Sequence, residues 1–383
     1  MANLPDDCLL IIFQYCDDLN DLNNCLLVCK RWRRLVSYRL SKAKCLTDDP
    51  WPRCKNDYDD YLLKVERNAI PSGFDVAKLT PNLEILGLHY SYGANSRFVF
   101  RILKTVDSIK GLICFKNYEQ FSIAPFCGEL TMIVATCLSS YFNKYHFGRN
   151  LRQLYLSNMS LKQFSDCSRY CTNLRRLHIQ YKGDESDICY SGTTLNRLEI
   201  LEICSWALDE TLDYPGFHFM DFCPKLKSAY LCIESLRFPF DANIKNNHLE
   251  DLVIEVIRGY APTWEILLRL LLKFPNLKHL AIRSNPSIED ENIQELVHIL
   301  PKLVLLDVRN SNKITKESKK YVERFSEQYN RPISFYFNKE DKEAIARDWP
   351  KLSSRVDWIA RDFNFMRNCF LKPLHLLPYL LIP

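Results

Sequence analysis

The sequence predicts an α/β protein: a small three-helix unit at the N-terminus, then a solenoid of repeats with a curved parallel sheet inside and helices outside. Three observations carry this. From Leu83 to Val308 one pattern recurs: an apolar residue, two variable ones, an apolar residue, one variable one and an apolar residue. Successive starts lie about 21 to 28 residues apart, a spacing at which each repeat is one strand plus one return segment. Ahead of the first repeat, residues 4–36 hold three short stretches with helical spacing. A chain of 383 residues is long enough for a small domain followed by a long array.

In the N-terminal unit, Asp6 or Asp7 can cap a helix bearing Leu9, Ile12, Phe13 and Cys16. Asn20 can cap a second with Leu22, Leu26 and Leu27. A third begins near Cys29 and carries Trp32 and Leu35 on one face, with Lys30, Arg31, Arg33 and Arg34 outside; residues 37–44 continue it. So small a unit leaves much apolar surface uncovered. Leu4, Pro5, Leu9, Leu10, Ile11 and Ile12 exceed what its own core needs, which predicts a protein partner.

The Leu4-Pro5 opening, Ile12-Phe13, Asp21-Leu22 and the run Val28-Cys29-Lys30-Arg31-Trp32 resemble the F-box family in order and spacing. Cys16 departs from the pattern, standing where a larger apolar residue is usual. The resemblance implies docking onto the Skp-type adaptor of a cullin-based SCF ubiquitin ligase. Carried onto this chain, the adaptor contacts are Leu4, Pro5, Leu9, Ile12, Leu22, Val28 and Trp32.

Composition narrows the remaining classes. A 47% hydrophobic and 25% charged chain is that of a folded globular protein, not a disordered one. The net charge of +5 is spread thinly outside Lys30 to Arg34, which argues against nucleic acid as a partner. The start lacks a basic n-region and an apolar h-region, so the 16 cysteines are expected as thiols in the cytoplasm, the nucleus or both. Cys25 and Cys29 share a helix, and Cys167 and Cys171 have no matching downstream pair, so no metal spacing is present. No stretch reaches the roughly 18 apolar residues of a membrane span; residues 371–383 come nearest but are broken by Pro373 and Pro378.

The sequence divides at 1–45 (F-box), 46–80 (linker and cap of the array), 81–337 (repeats) and 338–383 (C-terminal helices and apolar tail). Pro50, Trp51, Pro52 and the acidic Asp57, Asp59 and Asp60 mark a connector, either flexible or packed on the first repeat, the version Trp51 and Tyr61 favour. In each repeat the last two apolar residues, such as Leu154-Leu156 or Leu280-Ile282, face one way from a short strand, and stacking joins them into columns no single repeat could bury. Residues 264–274 and 292–300 show the return helices, through Leu267, Leu270, Leu271 and Phe274, and Ile293, Leu296, Val297 and Leu300. Asn285 with Ile288, Asp290 and Ile293 is similar to the cysteine-containing leucine-rich-repeat subtype, which implies that Asn285 satisfies backbone groups where the chain leaves its strand. Met159 and Trp206 stand at the equivalent places, and the units at Ile109 and Leu130 are the least regular. Residues 331–337 alternate like a last strand, while 339–349 and 355–369 have helical spacing suited to closing the stack. The apolar tail from Leu371 either folds back along the array or binds a partner.

No phosphate-cradling loop, nucleophile elbow or paired-His metal motif occurs. His178 and Cys204 fall on neighbouring strands, where a bland pairing outweighs a catalytic one. We therefore expect no catalytic residue and no cofactor. A target-binding surface is expected from the variable strand positions: an anchor pocket around Ile113, Phe115, Val134 and Tyr155, then His178 and Tyr230, with Glu255, Arg283 and Arg309 setting specificity. The competing expectation is that the apolar half of this face packs against the chain's own tail. The function so implied is substrate recognition for an SCF-type ligase; the alternative is an interaction scaffold without a role in ubiquitination.

Overall fold

A computed structural model of the chain describes residues 4–48, 62–65, 74–88, 102–115, 128–136, 148–183, 189–207, 213–350 and 357–382. The chain divides into two compact units, Met1–Leu151 with Val356–Ala360, and Arg152–Arg355 with Arg361–Pro383. The connector residues Trp51, Asp57, Asp59, Asp60 and Tyr61 lie outside the described residues.

The first unit opens with three helices, α1 (Asp6–Gln14), α2 (Leu19–Val28) and α3 (Lys30–Ser41). Their caps differ from the sequence expectation. Asp6 begins α1 but caps nothing; it accepts instead from Arg31 Nε at 2.7 Å and from Arg34. Asp18, not Asn20, caps α2, accepting from the Asn20 and Asp21 amides at 2.8 and 3.1 Å. The third helix begins near Cys29 as expected; Cys29 caps it, its sulfur 3.4 Å from the Trp32 amide nitrogen, and α3 stops at Ser41, short of residue 44. Leu9, Phe13, Leu19, Leu22, Leu26, Leu35, Val36 and Leu40 close the core.

The described strands of this unit are β1 (Cys45–Thr47), β2 (Leu62–Lys64), β3 (Ile85–Leu88), β4 (Gly111–Cys114) and β5 (Met132–Ala135), all parallel, in the order β2-β1-β3-β4-β5. Strands thus start at Cys45, well before Leu83. Leu46, Leu86, Leu112 and Ile133 are register partners and wholly buried, the column the repeat spacing predicts. Buried Arg39 of α3 joins helices to sheet, donating to the Phe13 carbonyl at 3.3 Å and the Leu62 carbonyl at 3.1 Å. The Lys64 amide donates to the Asp17 carbonyl at 2.7 Å beside a Lys64–Asp17 ion pair.

The second unit stacks β6 (Gln153–Leu156), β7 (Arg176–Gly183), β8 (Ile200–Ala207), β9 (Ser228–Ile233), β10 (Asp251–Val256), β11 (His279–Arg283), β12 (Leu305–Asp307) and β13 (Ser334–Tyr336) in chain order, every pair parallel. Leu154, Leu177, Leu201, Ala229, Leu252, Leu280 and Leu306 form one buried column and Leu156, Ile179, Ile203, Leu231, Ile254 and Ile282 the next. Return helices Leu161–Ser168, Trp264–Leu271, Asp290–Ile299 and Lys316–Gln328 each turn an apolar stripe inward; in Trp264–Leu271 it is Leu267, Leu270 and Leu271. Asn285 acts as expected at the strand exit, its side-chain oxygen accepting from the Ser287 amide at 2.7 Å. Ser284 and Asn310, equivalent positions one repeat apart, turn through left-handed backbone with φ of 56° and 64°. Ser311, one repeat on from Asn285, accepts the Asn285 amide at 3.3 Å.

Residues 339–348 are helical as expected, but the described part of 355–369 is not a capping helix. It holds the strand Ile359–Arg361 and a single wide turn, Met366–Phe370. Leu280→Ala should cost roughly 2–5 kcal/mol, because its wholly buried side chain leaves a cavity between two neighbouring leucines. Urea denaturation checks this, and an unchanged midpoint would refute the register.

Candidate protein-docking surfaces

One helix face in the first unit has no cover of its own. Leu9 and Phe13 turn α1 into the core, where Phe13 meets the Trp32 ring edge-on at 5.1 Å. Cys8, Ile11, Ile12 and Tyr15, at the i, i+3, i+4, i+7 spacing of a single stripe, face outward, and Ile12 is 46% and Tyr15 78% exposed. Leu27 and Val28 at the end of α2 are exposed too. Arg31 fixes the entry to α1, binding Asp6 and the Leu4 carbonyl together; its guanidinium holds the Asp6 carboxyl below the usual range.

This sorts the expected adaptor residues. Pro5, Ile12 and Val28 are exposed, and Leu4 and Trp32 are half-buried. Leu9 and Leu22 are wholly buried in the chain alone and hold the helices from within. Tyr15 and Leu27 were missed, although helical spacing from Ile11 and Ile12 points to Tyr15.

The expected target surface is largely closed. In the first unit Ile113 and Val134 are register partners and wholly buried, leaving Phe115 half-exposed. In the second unit the cover is the chain's own tail, which reaches Tyr155 of the expected apolar half but lies mainly over polar residues beyond it. Tyr155 stacks on the His178 ring at 4.0 Å and takes Tyr379 edge-on at 5.1 Å. His178 Nδ1 lies 2.7 Å from the Glu202 carboxylate, which also accepts from Arg176 at 2.8 and 3.0 Å. Arg176 then donates to the Pro378 carbonyl at 2.6 Å and the Tyr379 carbonyl at 3.3 Å. Gln153 accepts the Leu381 amide at 2.8 Å and donates to the Leu381 carbonyl.

Further along the sheet, Arg283 donates to Asp307 at 2.9 Å, to the Phe370 carbonyl at 2.5 Å and to the Lys372 carbonyl at 3.3 Å. The Tyr230 hydroxyl lies against Glu255 and 3.2 Å from the Lys372 carbonyl. Tyr155, His178, Tyr230 and Arg283 are therefore buried beneath the tail, not presented to solvent. Glu255 and Arg309 keep partial exposure, and Arg309 is paired with Asp307 at 2.8 Å. Cys204 sits opposite Gln180 and Cys232, and the near partner of His178 is Glu202, so no Cys–His pair forms.

Sequence reading missed the residue just before each first strand leucine, which shares this face by alternation. Gln153 and Arg176 belong to that column, as do Ser228, Asp251 and His279, which bond in series at 2.5 Å each. Stepping back two residues from Tyr155 or His178 would have found them.

Residues 1–47 match the F-box-like family and form an F-box-like domain. Among solved structures the chain is similar to one described as a Rad7 and Elc1 complex in yeast, at 18% identity over 82% of this chain and 90% of that one, with a TM-score of 0.41. No curated protein matches the chain.

Burial alone would raise the Glu202 carboxyl, but Arg176 and His178 outweigh it and hold it at about 2. Burial lowers His178 more than Glu202 raises it, so the ring is neutral below its ordinary value of 6.5. Both folded values are depressed, so the unfolded chain binds the extra protons and acid destabilises the unit. The His178 share is lost as pH falls below 6.5, and the Glu202 share as pH falls from 4.5 toward 2. Glu202→Gln should cost about 3–5 kcal/mol at pH 7 by stranding buried Arg176, and should flatten the limb below pH 4.5. Urea midpoints measured across pH check both; parallel profiles for the two proteins would contradict the pairing.

Proposed function

We propose that this chain is the target-holding subunit of an SCF-type ubiquitin ligase. The exposed Cys8, Ile11, Ile12 and Tyr15 stripe docks a Skp-type adaptor and through it a cullin, and the repeat array receives the protein to be modified. The observation that carries this reading is that stripe on a domain matching the F-box-like family, because apolar side chains held outward on a rigid helix are what a partner helix or groove buries. Leu9 and Phe13 hold the stripe from behind, and Arg39 ties the helices to β2, so a docked adaptor meets a surface that does not reorganise.

Ubiquitin transfer then belongs to the assembled complex, and this chain contributes geometry: holding a target near a loaded enzyme raises its effective concentration. We place the protein in the cytoplasm or nucleus, where thiols stay reduced; every cysteine among the described residues is a free thiol.

Replacing both Ile11 and Ile12 with Asp should weaken binding of a purified Skp-type adaptor by at least roughly 30-fold, the scale of an interface hot spot. The melting temperature should barely move, because both side chains already face water. Calorimetric titration against the adaptor measures it; undiminished affinity would remove the docking surface and the ligase assignment with it.

A further inference from the structure

We propose that the sheet face of the second unit bearing Arg176 and Arg283 is a groove for an extended, leucine-rich peptide without acidic residues, that residues 370–382 are its resident occupant, and that a target segment enters by replacing them. This rests on the target-holding reading above and names what the array would hold.

The first argument is the chemistry of the contacts. Side chains of the sheet address the tail through its backbone: the carbonyls of Phe370, Lys372, Pro378, Tyr379 and Leu381 each lie within hydrogen-bond reach of Arg283, Tyr230, Arg176 or Gln153. Every peptide offers those carbonyls, so these bonds do not depend on the tail's own sequence. Selectivity comes from the tail's apolar side chains: Leu374, Leu377, Leu380 and Leu381 are all buried.

The second argument is charge. Arg176 is matched by Glu202 and Arg283 by Asp307 within the sheet itself. The groove has guanidinium donors left to satisfy, not a net charge, and Glu202 and Glu255 would repel an acidic segment. A leucine-rich stretch without acidic residues is the occupant that fits, and the tail, whose one lysine is Lys372, is such a stretch.

The third argument is that the tail fits incompletely and is separable. With the tail in place, Arg176 Nε and His178 Nε2 are buried without a hydrogen-bond partner. An occupant offering an acceptor to the first and a donor to the second, such as a hydroxyl or carboxamide, would satisfy what the tail does not. The tail contributes no strand to the β6–β13 sheet; its strand Leu380–Ile382 pairs with Ile359–Arg361, so its release breaks that short ladder but leaves every ladder of β6–β13 and both apolar columns in place.

The test uses the full chain and a fluorescent synthetic peptide of residues 371–382, with no adaptor present. Leu380→Asp with Leu381→Asp loosens the resident tail without touching the groove. That variant should bind the peptide at least tenfold more tightly than the unaltered chain, and adding Gln153→Ala should return affinity to the unaltered level. In the unaltered chain, hydrogen exchange at the Leu381 amide should run at least a hundredfold faster than at the β9 and β10 amides. The proposal is overturned if the variant unfolds, if it binds the peptide no better, or if Leu381 exchanges as slowly as the sheet. None of these outcomes touches adaptor binding, so failure here and failure of the α1 surface are separately visible.

Discussion

Parallel repeats impose one constraint on which the second unit depends. Each strand places a given position directly beside its counterparts in the strands before and after, so a polar residue on the buried face must be answered by its neighbours. His178 has Glu202 as its register partner, and Arg176 reaches that same carboxylate. Ser228, Asp251 and His279 answer one another along the adjacent column. Arg283, Asp307 and Arg309 do so further on. Much of what the sheet cannot supply, the tail does: its carbonyls take guanidinium protons that Glu202 and Asp307 leave over, except that of Arg176 Nε. A buried ion pair is weak evidence of net stability but punishes the loss of either partner, which makes such a face intolerant of piecemeal change.

The first unit solves a different problem. Three helices cannot bury both faces of α1, so one face is spent on the core and the other is left outward. The helices do not hang from the array by a bare connector. Arg39, 2% exposed, has its guanidinium shared between the end of α1 and β2, and the Lys64 amide binds the turn before α2. An outward stripe fixed to the first strands in this way has a defined direction within its unit, which a flexible tether would not give it.

Much of this was legible because it repeats. Leu154, Leu177, Leu201, Leu252, Leu280 and Leu306 could be aligned by spacing alone, and the aligned positions are register partners. The F-box-like helices were legible because their order of apolar and basic residues is dense and local. Caps were less so: Asp18 and Asn20 both suit an N-cap, and only the backbone decides between them. Residues 355–369 have helical spacing, yet the short strand Ile359–Arg361 and the wide turn at Met366–Phe370 stand in the described part, a case of tertiary context overriding local pattern. The burial of Tyr155, His178, Tyr230 and Arg283 was beyond local reasoning, since their cover comes from residues some 90 to 230 positions further on, and no periodicity links a tail to the strands it crosses.

The two proposed docking surfaces would select by different means. The α1 stripe offers side chains, so its partner is chosen by shape and apolar fit. The face beneath the tail offers donors to a peptide backbone, which confer affinity without much choice, and a groove of that kind left open would hold many extended segments. A resident tail changes this, because an incoming segment gains only the difference between its own hold and the tail's, and its apparent affinity falls by the fraction of molecules in which the face is closed. Weak binders are then refused by competition from residues 370–382, and selectivity arises from a surface whose individual bonds have little of it.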